Sequence, residues 1–151
     1  MQVQVERRLS YMYNAIDLSK YIVSKCVADG EPISNLQLQK ILYYIQKDFL
    51  QRGEIAFTDD IEAWQFGPVV PNVYYHFCGF GAMPIYIAND TFSIAATDAL
   101  YIDKIVEEKR KLNPWDMVAE THKDDGAWAK IYRGGLGNRC VIPTELIKAG
   151  G

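Results

Sequence analysis

The side chains best suited to chemistry in this 151-residue chain are two histidines, three cysteines and two aspartate pairs. His76 sits in the run Tyr74-Tyr75-His76-Phe77, where a packed or capping imidazole is the simpler reading than a general base. His122 follows Glu120 by two positions, and helical residues two apart do not face each other, so no acid–base dyad follows. Neither histidine belongs to a His-Glu-x-x-His or two-Cys, two-His pattern; no metal ligand set is read, and no cofactor is expected. Cys26, Cys78 and Cys140 lie 52 and 62 residues apart. An odd number at such spacing suits neither a disulfide framework nor a zinc pair, and all three are expected to be reduced, structural thiols. Cys78 lies close to His76 in the chain, but catalytic partners meet in space rather than in sequence. Asp59-Asp60 and Asp124-Asp125 flank turns and read as solvated loop carboxylates. Gly134-Gly135-Leu136-Gly137-Asn138-Arg139 lacks both the Lys-Ser/Thr of a phosphate loop and the third glycine of a dinucleotide fingerprint, and no Gly-x-Ser-x-Gly elbow is present. With no catalytic signature, the chain is expected not to be an enzyme.

Composition turns the search toward binding. Sixteen basic against 19 acidic residues leave a formal charge of −3, which disfavours nucleic acid as the main ligand. Lys104, Lys109, Arg110 and Lys111 cluster, but Asp103, Glu107 and Glu108 interleave with them as on a solvated helix face. Apolar residues at 49% suffice for a dense core. No apolar run approaches the roughly 20 residues of a membrane span, and the first eight residues lack the apolar stretch of a secretory leader. A cytoplasmic location is expected. Ten tyrosines and three tryptophans exceed what a small core readily absorbs, and such side chains favour protein interfaces.

The elements that position these residues are mostly helical. Residues 1–13 read as an arm. Asn14 caps a helix with Asp17 in its first turn and an apolar stripe of Ala15, Leu18, Ile22 and Cys26, which Gly30 and Pro32 stop. Ser34-Asn35-Leu36-Gln37 is a capping box for a second helix, whose stripe of Leu38, Leu42, Ile45 and Phe49 runs toward Gly53. So short a connection predicts an antiparallel hairpin. It does not match a DNA-reading helix-turn-helix, because Asn35-Leu36-Gln37 opens a helix without a basic cluster. Residues 61–66 alternate as a strand that Gly67-Pro68 interrupts, and Pro71 begins a short helix. Ile85–Ile87 and Phe92–Ile94 around Asn89-Asp90 suggest a small hairpin. Helices are then expected from a Thr97 cap, from Asn113-Pro114, from Ala127-Trp128 and from Pro143 or Thr144, with a flexible glycine loop before the last. The expected class is mainly α with a small β component (α+β), in a single domain.

The stretch from Ile33 to Tyr44, Ile-Ser-Asn-Leu-Gln-Leu-Gln-Lys-Ile-Leu-Tyr-Tyr, leads on to Glu62-Ala63-Trp64-Gln65-Phe66-Gly67-Pro68-Val69-Val70-Pro71 and Tyr74. Together with Thr121-His122 and Trp128, this pattern resembles the Panacea domain, which includes SocA-like antitoxins and GepA-like phage-associated proteins. The resemblance assigns residues 14–151 to that domain and leaves 1–13 without a counterpart. It implies a type II-like antitoxin that neutralises a cognate protein toxin by direct stoichiometric binding. The alternatives it brings are an adaptor delivering a toxin to the ClpXP protease, or a phage- or prophage-encoded regulator of host defence. A homo-oligomer is compatible with either. On this reading Tyr43, Tyr44, Trp64, Tyr74, Tyr75 and His122 are the expected toxin contacts. Leu38, Leu42, Glu62, Gly67, Pro68, Val69, Pro71 and Trp128 are motif positions that fix the fold. Gly67 permits backbone angles that larger residues resist, and a Gly-Pro bond can adopt the cis form.

Overall fold

The computed structural model describes residues 12–88, 92–123 and 125–150, within which seven helices surround a three-stranded sheet. Helix α1 spans Ala15–Ala28, and Asn14 caps it as expected, its side chain accepting from the Asp17 N–H. Asp59, expected in solvent, also serves this end, accepting from the Ala15 N–H at 2.9 Å and from Asn72 Nδ2 at 3.1 Å. The other acidic doublet falls partly outside the described residues, at Asp124. Helix α2 spans Asn35–Gln51, and the Ser34/Gln37 capping box forms in full.

Helix α2 organises the molecule. It touches α1, strand β2 and four later helices, and 11 of its 17 residues are buried. A surface helix buries one stripe; this one is covered nearly all round. The Leu38, Leu42, Ile45 and Phe49 stripe is in the core, but so is a second face carrying Gln39, Tyr43 and Gln46. The buried amides are satisfied by backbone that has no ladder of its own. Gln46 accepts from the Ala56 N–H at 2.9 Å and donates to the Phe57 carbonyl at 2.7 Å. Gln39 accepts from the Val70 N–H and donates to Asn35 Oδ1, both at 2.9 Å, while Asn35 donates to the Tyr74 carbonyl at 3.0 Å.

Strand β1 (Glu62–Trp64) lies between β2 (Gly67–Val69) and β3 (Cys140–Val141), antiparallel to both. Gly67-Pro68 therefore does not interrupt a strand. It begins the return strand of a hairpin, paired Trp64 to Gly67 and Ala63 to Pro68 across a Gln65-Phe66 turn. Pro68 is tolerated because β2 is an edge strand. Every described peptide bond is trans. Helix α3 (Pro71–Phe77) has proline in its first turn, as the sequence indicated, and a 3₁₀ turn follows at Cys78–Phe80.

The hairpin expected around Asn89-Asp90 is not formed by the described residues flanking it; residues 89–91 themselves lie outside them. Ile85 is buried, and its N–H bonds to the Ile33 carbonyl at 2.7 Å, so this segment joins the α1–α2 connection instead. Helix α4 spans Ala96–Lys109 with Ala95, not Thr97, at its cap. The Ala95 N–H is held by Tyr13 Oη at 2.9 Å, and the same hydroxyl donates to Asp98 at 2.8 Å. Tyr13, the last residue read as arm, is thus tied to the body. The charges of α4 also act as ties: Lys109 reaches Glu120 at 3.1 Å and Arg110 reaches Asp29 at 2.8 Å.

Helices α5 (Pro114–Thr121), α6 (Ala127–Tyr132) and α7 (Thr144–Ala149) complete the fold, with Asn113 capping α5. Between α6 and β3 the glycines make a tight turn rather than a flexible loop, a 3₁₀ turn at Arg133–Gly135 followed by Gly137 N–H to Tyr132 carbonyl at 2.9 Å. A Cβ on Gly137 would fall 1.8 Å from the Ile131 carbonyl oxygen, so no larger residue fits there. Of the cysteines, Cys26 is buried, whereas Cys78 and Cys140 are exposed, and all three are free thiols. Only Cys26 can therefore be structural in the sense expected.

Replacing Gln46 with leucine leaves the Ala56 N–H and Phe57 carbonyl buried and unpaired. At about 1–3 kcal/mol for each stranded group, the urea midpoint is expected to fall by the equivalent of roughly 2–6 kcal/mol, with the denaturant slope unchanged.

Candidate functional site

The motif residues converge on one side of α2, where the β1–β2 hairpin, the start of α2, the first turn of α5 and residues 138–139 enclose a groove of about 680 Å³. Its walls carry Trp64, Phe66, Tyr74 and Trp115. Phe66 stands at the tip of the hairpin turn and meets Trp115 edge to face at 5.5 Å between ring centroids. Trp64 packs on Tyr74 at 5.1 Å and on Tyr75 at 6.1 Å. Its indole N–H donates to Glu62 at 2.9 Å, which fixes the ring. Arg139 lies over the Trp64 ring at 4.1 Å and donates to Tyr75 Oη at 3.0 Å.

Lys40 closes the floor from within. It is fully buried, and among the described residues its one hydrogen bond goes from Nζ to the Pro68 carbonyl at 3.2 Å. Burial without a carboxylate partner pushes its pKa down to about 7. Gly67 makes room for it. The glycine has φ of +115°, and a Cβ there would meet Lys40 Cε and Thr121 Oγ1 at 2.8 Å. Thr121 in turn donates to the Val118 carbonyl at 2.9 Å, holding the end of α5. Next to it His122 stacks on Trp128, 3.6 Å between centroids and 4° from parallel, and Trp128 donates to the Trp64 carbonyl at 2.7 Å. Burial, and then the positive charge of Lys40, lower the pKa of His122 and favour its neutral form. The Nε2 atom of His122 is buried with no hydrogen-bond partner among the described residues.

The six contact positions expected from the sequence divide accordingly. Trp64 and Tyr74 are half-buried groove residues, and Tyr75 is exposed on the rim. Tyr44 is half-buried and engaged, donating to Glu120 at 3.0 Å with Lys109 over its ring. Burial and the Glu120 charge push its hydroxyl pKa up. His122 supports Trp128 rather than facing outward. Tyr43 is corrected outright: at 2% exposure it is core, and burial pushes its hydroxyl up to about 12. The motif positions Leu38, Leu42, Val69 and Trp128 are buried, as a fold-fixing role requires. Phe66, Trp115 and Arg139 were not singled out as contacts. The signal for the first two was apolar aromatics placed at a turn and in a helix's first turn; for Arg139 it was a glycine-rich turn ending in a cation. His76 is exposed and edge-on to Phe77. Among the described residues no cluster of His, Cys, Asp and Glu could hold a metal, and no helix is long and apolar enough to cross a membrane.

A helical body wrapped on one buried helix, with its motif residues gathered behind an aromatic groove, is the architecture to be matched. The family model described as "Antitoxin SocA-like, Panacea domain" matches residues 38–129, and the chain belongs to that family. It is 31% identical to the protein named Antitoxin SocA from Caulobacter vibrioides (strain NA1000 / CB15N), in an alignment covering 87% of this chain and 78% of that one. No solved structure gives a significant match. The matched stretch takes in Lys40, Trp64, Gly67, Trp115 and Trp128, and Arg139 lies beyond it.

Two outcomes follow. Because folded Lys40 releases its proton near pH 7 and an unfolded lysine does so near 10.5, the unfolded chain holds more protons between those values. Stability is therefore expected to rise with pH above 7, by up to about 1.4 kcal/mol per pH unit, when measured by urea unfolding from pH 7 to 8.5. Lys40→Met should abolish that slope. Gly67→Ala combines a disfavoured φ with overpacking and should lose about 2 kcal/mol or more, read as a lower melting temperature.

Proposed function

We propose that this protein is an antitoxin that neutralises a cognate protein toxin by direct stoichiometric binding, with no covalent bond made or broken. The observation that supports this reading is the aromatic rim of the groove in a chain of the SocA-like family. Phe66, Tyr75 and Trp115 are 46%, 54% and 62% exposed, a concentration of large rings on one face. Such rings bring broad apolar contact with little conformational entropy to lose, and they dominate the energetics of protein interfaces. Trp64 and Arg139 give the rim a fixed shape, because the guanidinium, the indole and the Tyr75 hydroxyl hold one another. A standard interface of about 800 Å² on each partner would cover this groove and its surroundings. The relative's name as an antitoxin points the same way.

The test is co-expression with the neighbouring reading frame that is toxic when expressed alone. The intact chain should restore growth and form a complex of fixed ratio with the toxin. Trp115→Ala and Phe66→Ala should each weaken that complex by about 2 kcal/mol or more with an unchanged circular dichroism spectrum. Toxin abundance should stay constant on immunoblots. A fall in toxin that depends on ClpXP would make the chain a delivery adaptor instead, and full rescue by the double alanine variant would place the interface elsewhere.

A further inference from the structure

The groove carries a charge opposite to that of the chain around it. The molecule has a formal charge of −3, yet the groove lining holds Lys40 and Arg139 and no carboxylate. Glu62, the acid on the adjoining strand, is engaged by the Trp64 indole. Arg139 is the accessible cation, and it makes no ion pair among the described residues. Its position is fixed by the backbone. Arg139 has φ of +66°, in the left-handed region that non-glycine residues seldom occupy, and its N–H bonds to the Ala63 carbonyl at 2.7 Å. With the side chain stacked on Trp64 and bonded to Tyr75, the guanidinium is ordered before any ligand arrives. Among the described residues, one of its five N–H donors has a protein acceptor. An ordered, planar fork of this kind suits a carboxylate held by two parallel hydrogen bonds.

Of the other polar side chains in the lining, Gln65 and Asn138 are neutral amides, and Asn35 and Gln39 are already committed. Asn35 and Gln39 bond to one another and to the backbone of Val70 and Tyr74. At each of the two helix N-termini at the groove the cap takes one N–H, that of Gln37 by Ser34 and that of Asp116 by Asn113. This matters for the class of ligand. Phosphate sites are commonly built on several backbone N–H groups converging at a helix N-terminus or in a nest, whereas here the accessible charged donor is one guanidinium stacked on an aromatic wall.

We propose that the groove seats an acidic segment of the partner polypeptide, with an Asp or Glu side chain paired to Arg139 and a neighbouring apolar side chain packed against the Phe66–Trp115 pair. This rests on the antitoxin reading and specifies the chemistry of the surface that the toxin presents. Lys40 lies behind the floor, but burial favours its neutral form, so the preference for an anion rests on Arg139.

The experiment selects a random dodecapeptide phage library on the full chain and, in parallel, on Arg139→Gln. Peptides selected by the wild type should carry Asp or Glu within two positions of an aromatic residue or leucine. As synthetic peptides they should bind at least tenfold more weakly to Arg139→Gln, with Arg139→Lys intermediate. Changing the peptide's acid to its amide should cost the same tenfold on wild type and almost nothing on Arg139→Gln. Should Arg139→Gln fail to keep the wild-type melting temperature, Trp115→Ala supplies the check, weakening the peptide while leaving the acid-to-amide ratio intact. Selected peptides without acidic enrichment, an acid preference independent of Arg139, or ATP binding that competes at the groove while no acidic peptide is selected would each overturn the proposal. Toxin rescue separates the two readings. Undiminished rescue by Arg139→Gln refutes the acidic-segment proposal and leaves the antitoxin standing; acidic selection by a chain that cannot rescue does the reverse.

Discussion

The structure depends on a helix that is buried on its polar face as well as its apolar one. Gln39, Gln46 and Asn35 are amides in the core, and each would be costly there alone, because an unpaired buried polar group loses its water without replacement. They are tolerated because each bonds to backbone that would otherwise be stranded, at residues 56–57, 70 and 74. Residues 56–57 lie outside any helix or strand, Val70 caps the short α3, and Tyr74 lies within it. Side chains of α2 thus substitute for secondary structure, and they set where the hairpin and α3 lie.

The groove inherits its shape from that arrangement. Lys40, on the same helix, bonds to Pro68 and occupies the space left by the missing Cβ of Gly67, drawing β2 against α2. The hairpin then projects Phe66 toward Trp115, and β3 brings Arg139 over Trp64. Trp128 joins the far side, bonded to the Trp64 carbonyl and stacked between His122 and Tyr132. The exposed rings thus rest on a framework of buried polar contacts, and their positions do not depend on an occupant.

Much of the helical framework was legible in the sequence, because capping residues act locally. Asn14, the Ser34/Gln37 box, Asn113 and Pro71 each mark a helix start that the structure keeps. The errors lie where distant residues decide. Ala95 displaces Thr97 as a cap because Tyr13 holds its N–H, and Ile85 joins Ile33 rather than a hairpin partner. Tyr43 was expected as a toxin contact through the family motif; it is core because α2 is wrapped on both faces. Half the contact positions expected from sequence belong to the groove face, Trp64, Tyr74 and Tyr75. Arg139 was invisible as a partner to Trp64, since nothing local records that β3 pairs with β1 across more than 70 residues.

The placement of the thiols has a practical bearing on how the molecule behaves in air. Cys26 is sealed in the core, and burial raises its pKa, so it should resist alkylation and oxidation alike. Cys140 is exposed and immediately follows Arg139 in the chain. An intermolecular disulfide or a maleimide adduct can form at Cys140 or at the exposed Cys78, and serine at both positions would remove that reactivity while keeping the core thiol.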